Sequence, residues 1–100
     1  MSAGYKLTPL ADADLAAIYR YTAERWGFFQ ADAYQAELEE HLSHIVDHPM
    51  IGVARDKLLR GLRSHRAGSH VIYYEIVDGW IEVLRVLHGR QDAGLAFNRN

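Results

Sequence analysis

A chain of 100 residues, 49% hydrophobic and 24% charged, is long enough for one hydrophobic core and too short for two. Its formal net charge of −2 argues against a protein that grips nucleic acid mainly through phosphates, and the lack of cysteine excludes a disulfide framework or a thiolate metal site. Nothing in the composition signals disorder, low complexity or an internal repeat.

Residues 1–6 contain no apolar run of signal-peptide size, and no segment approaches membrane-spanning length, so a cytoplasmic protein of one domain over 1–100 is expected. Tyr5-Lys6-Leu7 reads as a short strand running into Thr8-Pro9, where Thr suits a helix cap and Pro the first helical turn. Asp12 and Asp14 complement the helix dipole, and Ala11, Leu15, Ile18 and Thr22 recur along one side. Trp26-Gly27 marks the end of this helix, with glycine available for a left-handed cap. A second helix is predicted over 29–47, where Ala31, Tyr34, Leu38, Leu42 and Ile45 form a stripe at intervals of three and four, until Pro49 stops it. Two such helices make an antiparallel hairpin whose apolar stripes need a surface to cover.

Residues 49–61 show no sustained period and read as loop with room for one helical turn. Residues 62–66 are a candidate strand, Ala67-Gly68 a turn, and 69–88 two long strands joined by Asp78-Gly79, the pair that a type I′ turn favours. The predicted fold is α+β, in the order β-α-α-β-β-β, with the helical hairpin on one face of a small, mainly antiparallel sheet and a short tail after Gly89. A two-residue turn sets Val77 opposite Trp80, Tyr73 opposite Leu84 and Val71 opposite Val86 on one face. Ile76 with Ile81, Tyr74 with Val83 and Ile72 with Arg85 share the other. Both faces are substantially apolar, and two helices cover only one. The second is left to a partner or to the tail, with its Leu95 and Phe97. Glu75 and Glu82 also face each other, an unfavourable pair that a basic partner would relieve.

Six histidines are the first place to look for chemistry. His44 and His48 are four apart, a spacing that chelates a metal on one helix face, but no third ligand accompanies them or the nearby His41, and solvated imidazoles serve as well. No metal or other cofactor is expected. His88, with Arg85 and Arg90 nearby, has the makings of a proton donor beside a phosphate site, or of a strand-end histidine bonded to a loop. Arg63-Ser64-His65-Arg66 is less of a cluster than it looks, since a strand splits it between two faces. Gly-rich phosphate loops, Gly-x-Ser-x-Gly and His-Glu-x-x-His are all absent.

Several stretches taken together suggest a family. Tyr5-Lys6-Leu7-Thr8-Pro9, Ala13-Asp14-Leu15, Ile18-Tyr19, Arg25-Trp26-Gly27, Gln30-Ala31, Tyr34 and His48-Pro49 with Ile51-Gly52 precede Gly61-Leu62-Arg63-Ser64 and Gly68-Ser69-His70-Val71-Ile72-Tyr73-Tyr74. The run from Ile81 to Asp92 completes the succession. In order and spacing, residues 5–92 resemble the ParE toxins of ParDE toxin–antitoxin systems, within the RelE/ParE superfamily.

The resemblance implies the fold already read from the residues, together with a cytoplasmic poison of DNA gyrase. It also implies neutralisation by a ParD-like antitoxin, a ribbon-helix-helix DNA-binding protein, in a hetero-oligomeric complex that represses its own operon. On this reading the leftover sheet face, with Tyr73, Glu75, Trp80, Glu82 and Leu84, is the antitoxin seat. Arg85, His88, Arg90 and Phe97 face the target or the antitoxin by binding, with no catalytic residue, no direct nucleic-acid binding and no membrane. The RelE branch of the superfamily implies instead a ribosome-dependent messenger RNA endonuclease, for which His88, Arg85, Arg63 and Arg66 are the available set. That set lacks a base unless Glu75 or Glu82 serves, and the negative charge balance speaks against it. An inactive copy retained as a binding module is the third alternative.

Overall fold

The computed structural model describes residues 4–97; the three residues at either end, Arg99 of the tail among them, lie outside it. Strand β1 (Tyr5–Leu7) leads into helices α1 (Pro9–Trp26) and α2 (Phe28–Asp47). A 3₁₀ turn (Pro49–Ile51) and strands β2 (Val53–Ala54), β3 (Arg63–Ala67), β4 (His70–Val77) and β5 (Trp80–His88) follow, and helix α3 (Ala93–Phe97) comes last. The sheet order is β1-β5-β4-β3-β2, with β1 parallel to β5 and every other pair antiparallel. The fold class is therefore the expected α+β arrangement of a helical hairpin and a mainly antiparallel sheet. Its two additions, β2 and α3, are too short to leave a period in the sequence.

Local chemistry sets the helix ends. The Thr8 hydroxyl accepts the Ala11 N–H at 3.1 Å with Pro9 in the first turn. Gly27 alone joins the two helices: its N–H donates to Ala23 and its carbonyl accepts from Ala31, at φ 94°. That angle falls to glycine because a Cβ clashes there. One residue makes the reversal, so α2 starts at Phe28, one residue earlier than its pattern suggests.

The β4–β5 turn has both predicted positive angles, 51° at Asp78 and 80° at Gly79. Pairing runs as expected from Val77–Trp80 to Tyr74–Val83, including Glu75 directly opposite Glu82. Beyond that point the expected register fails. Leu84 is an extra residue, and Tyr73 pairs with Arg85, Ile72 with Val86 and Val71 with Leu87. This β-bulge moves Val86 to the helix side and Arg85 to the side of Tyr73.

The core occupies both faces. Leu38, Leu42, Ile45 and Ala11 of the helices pack on Ala67, Ile72, Tyr74, Ile81, Val83 and Val86, and the fully buried Tyr74 extends this layer towards the 3₁₀ turn. Its hydroxyl donates to Pro49 O at 2.7 Å and accepts the Gly52 N–H at 2.9 Å. On the opposite face Leu62, Tyr73 and Leu87 lie beneath Leu58, Leu59, Ala93, Ala96 and Phe97, with the Tyr73 and Phe97 rings 5.3 Å apart. Of the two covers considered for that face, the chain's own tail supplies a substantial part. Phe97 does this, whereas Leu95 stays 74% exposed.

Candidate functional site

β1 ends at Leu7, so from Leu84 onward β5 has an unpaired edge, and α1 with its capping residue Thr8 supplies the missing partners. The Thr8 hydroxyl donates to Leu84 O at 2.9 Å, and the Val86 N–H donates to Asp14 Oδ2 at 2.9 Å. The Arg85 guanidinium grips the same carboxylate twice, Nε to Oδ2 at 2.8 Å and Nη2 to Oδ1 at 2.9 Å. These bonds to Asp14, stronger than the opposing burial, raise the Arg85 pKa above its ordinary value. A bidentate clamp plus a backbone bond locks the bulge and fixes the wall of the hollow beside it.

That hollow, about 480 Å³, lies between Thr8, Leu59, Glu75, Leu84, Arg85 and Phe97. It puts part of the expected antitoxin seat (Glu75, Leu84) and part of the expected target surface (Arg85, Phe97) on one groove. Tyr73 lies beneath Phe97. Glu82 and Trp80 continue the same face towards the hairpin turn, where the Lys6 ammonium sits 4.7 Å from the centre of the Trp80 ring. The other two expected target residues, His88 and Arg90, lie exposed at the far end of β5, where the Arg90 N–H donates to His88 Nδ1 at 3.1 Å.

Beside them is a constellation that pattern reading missed. Tyr34, counted as an apolar stripe residue, sets its hydroxyl 2.6 Å from His70 Nδ1 and accepts the Ser69 N–H at 3.0 Å. His70 meets His88 edge-on at 5.3 Å. Burial, then the neighbouring His88, lowers the His70 pKa below the ordinary histidine value. Arg66 reaches the same turn, donating to Gly68 O at 3.2 Å.

The four residues available to a nuclease are spread over both faces of the sheet. Arg63 stands on the helix side and donates to the carbonyls of Gly52 (2.6 Å) and Met50 (3.3 Å). Arg66 is on the opposite side by register, Arg85 is bound to Asp14, and His88 is at the strand end. His44 and His48 do approach, their rings 4.9 Å apart, but among the described residues no three His, Cys, Asp or Glu side chains are placed to hold a metal ion. A larger surface hollow, about 690 Å³ between α1 and α2, includes Tyr19, Ala23 and Phe28 and none of the expected site residues. Among the described residues no helix is long and apolar enough to cross a membrane.

With this geometry in place, likeness to known proteins is informative. The Toxin ParE1 of Mycobacterium tuberculosis is 42% identical over 93 residues, spanning 92% of this chain and 95% of that protein. The Toxin ParE1 of Caulobacter vibrioides is 39% identical over 89 residues, 89% of this chain and 92% of its own. A chain of the chromosomal ParDE system from P. aeruginosa shares the fold, with a TM-score of 0.75 at 21% identity over 87% of this chain and 96% of that one. One from the toxin–antitoxin complex RelBE2 of Mycobacterium tuberculosis does so at 0.62 and 22%, over 88% and 99%. The family model for the ParE toxin of the type II toxin–antitoxin system parDE matches residues 5–93. The chain belongs to the ParE toxin family.

Proposed function

We propose that this toxin acts in the cytoplasm by poisoning DNA gyrase, and that a ParD-like antitoxin silences it by docking on the sheet face that α3 only partly covers. Family membership supports the target, and one observation carries the docking surface. Glu75 and Glu82 are half-buried, directly opposed and free of any ion pair among the described residues, beside an open groove walled by Leu84 and Phe97. Two like charges across a strand pair are unfavourable in the free protein, so a cationic side chain from a partner gains more there than at an ordinary rim site. The spread of Arg63, Arg66, Arg85 and His88 over both faces supports binding over RNA cleavage.

Glu75→Gln and Glu82→Gln each weaken antitoxin binding by about tenfold, or ~1.4 kcal/mol. Each also leaves the free toxin as stable as wild type or slightly more so. Isothermal titration of the co-expressed antitoxin measures this, and unchanged affinity removes the acidic pair from the interface. Failure of any neighbouring small antitoxin to co-purify favours an inactive binding module.

The purified toxin inhibits gyrase supercoiling, and its expression without antitoxin makes cells filament with damaged DNA. Translation arrest with cleaved messages instead establishes the RelE-type reading. Because Phe97 covers Tyr73, truncating the tail disturbs the fold, and the target surface is better tested at exposed positions. His88→Ala and Arg90→Ala lower gyrase inhibition by about tenfold each with the melting temperature unchanged, consistent with the near-neutral stability of ordinary surface substitutions. Full inhibition by both variants places target binding elsewhere.

A further inference from the structure

Four of the six histidines gather at one seam on the helix side of the sheet, away from the groove. His41, His44 and His48 follow one another near the end of α2, and β3 brings His65 against them. His41 Nδ1 and His65 Nε2 are 3.1 Å apart. The rings of His44 and His65 are 6.1 Å apart, those of His44 and His48 4.9 Å.

The surrounding charges form no ion pair with these imidazoles among the described residues. His41 and His44 are the groups that face His65 from α2. On β3, Arg63 shares the His65 face and is occupied with the Met50 and Gly52 carbonyls. From β4 the partner of His65 is the uncharged Ile72. Glu39, Glu40 and Asp47 border His44 on its solvent side.

An N–H···N bond between two imidazoles needs one donor and one acceptor. A first added proton goes to the outer nitrogen of the donor ring and leaves the bond in place. A second puts N–H groups on both facing nitrogens at 3.1 Å and makes two adjacent cations, with His44 beside them. We propose that the His41–His65 pair is a proton-counting latch, tying the C-terminal half of α2 to β3 when it holds at most one extra proton and releasing it when it takes up two.

Burial, then the proximity of His41 and His44, lowers the His65 pKa below the ordinary 6.5. The folded state therefore binds fewer protons here than the unfolded chain. The contact's full stabilisation is present above pH 6.5 and is lost as the pH falls through and below that value. His70 is shifted the same way but has an exit: when its Nδ1 is protonated, the Tyr34 hydroxyl turns to Ala67 O, 3.4 Å away, and accepts the new N–H. The Tyr34–His70 contact is thus an internal control.

Native-state hydrogen exchange on the full chain tests the latch. Between pH 7.5 and 5.0 the protection factors of residues 41–47 fall at least tenfold, while those of β5 and the Tyr34 turn change several-fold less. In His65→Gln, which has no second basic ring, the selective fall is absent. A fall of the same size in His65→Gln overturns the proposal, as do wild-type protection factors that do not depend on pH. Ring resonances of the wild-type protein give a decision that needs no variant. His41 and His65 both fully charged while 41–47 stay protected also overturns it.

Discussion

Asp14→Ala lowers the unfolding free energy by about 2–3 kcal/mol, a drop of roughly 10–20 °C in melting temperature for a domain of this size. The carboxylate is three bonds' worth of partner: both arms of the Arg85 fork and the Val86 N–H. The two side chains are only 22% and 16% exposed, so solvent replaces the lost contacts poorly. Asp14→Asn costs about half as much, because its amide oxygen still accepts from the backbone. Arg85→Met, which removes the charge and keeps the bulk of the stem, costs less than Asp14→Ala, since the carboxylate keeps the Val86 bond. Urea denaturation of the three variants checks the order. A loss below about 0.5 kcal/mol for Asp14→Ala, the range of an ordinary surface substitution, removes the clamp from the account of the bulge.

Gly52→Ala is the second large effect, about 3 kcal/mol. Gly52 has a φ of −69°, which any residue adopts, so its identity is a matter of space alone. A methyl group there meets the Tyr74 hydroxyl oxygen at 2.5 Å and two ring carbons at 2.8 and 2.9 Å. Tyr74 cannot retreat, being fully buried and bonded to Pro49 and Gly52. Tyr74→Phe alone costs about 1–2 kcal/mol by orphaning the buried Gly52 N–H. Combined with Gly52→Ala it relieves the shortest contact, so the double variant loses less than the two single losses added together. Strict additivity in thermal or urea melts shows that the close approach is not what selects glycine.

The parts of this fold legible in the sequence are those set by neighbours along the chain. Thr8-Pro9, the two stripes and Asp78-Gly79 act within a few residues, and each produced the element expected of it. The bulge at Leu84 was illegible because its cause lies elsewhere: β1 stops at Leu7, and Asp14 is 71 residues from Arg85 in sequence. Helix α3 was missed because five residues carry no period, although Asp92, which accepts the Gly94 N–H at 2.8 Å, is a readable capping signal. Alternation along β4 and β5 identified the face that the two long helices leave uncovered and the opposed glutamates. It did not reveal that Arg85 is clamped to Asp14, nor that Tyr34 and Tyr74 act through their hydroxyls, since hydrophobic patterning counts a tyrosine as apolar and says nothing of where its oxygen goes.

The parallel pairing of β1 with β5 also sets a schedule for the nascent chain. Tyr5, Lys6 and Leu7 find their strand partners in Ile81, Glu82 and Val83, and the Thr8 hydroxyl finds the Leu84 carbonyl 76 residues downstream. During synthesis the α1–α2 hairpin can form from local contacts, but the sheet has no first strand until its last has been made. The groove walled by Thr8, Leu84 and Arg85 is therefore among the last parts of the molecule to exist. A growing chain carries neither the proposed antitoxin seat nor the proposed target surface beside it until β5 has left the ribosome.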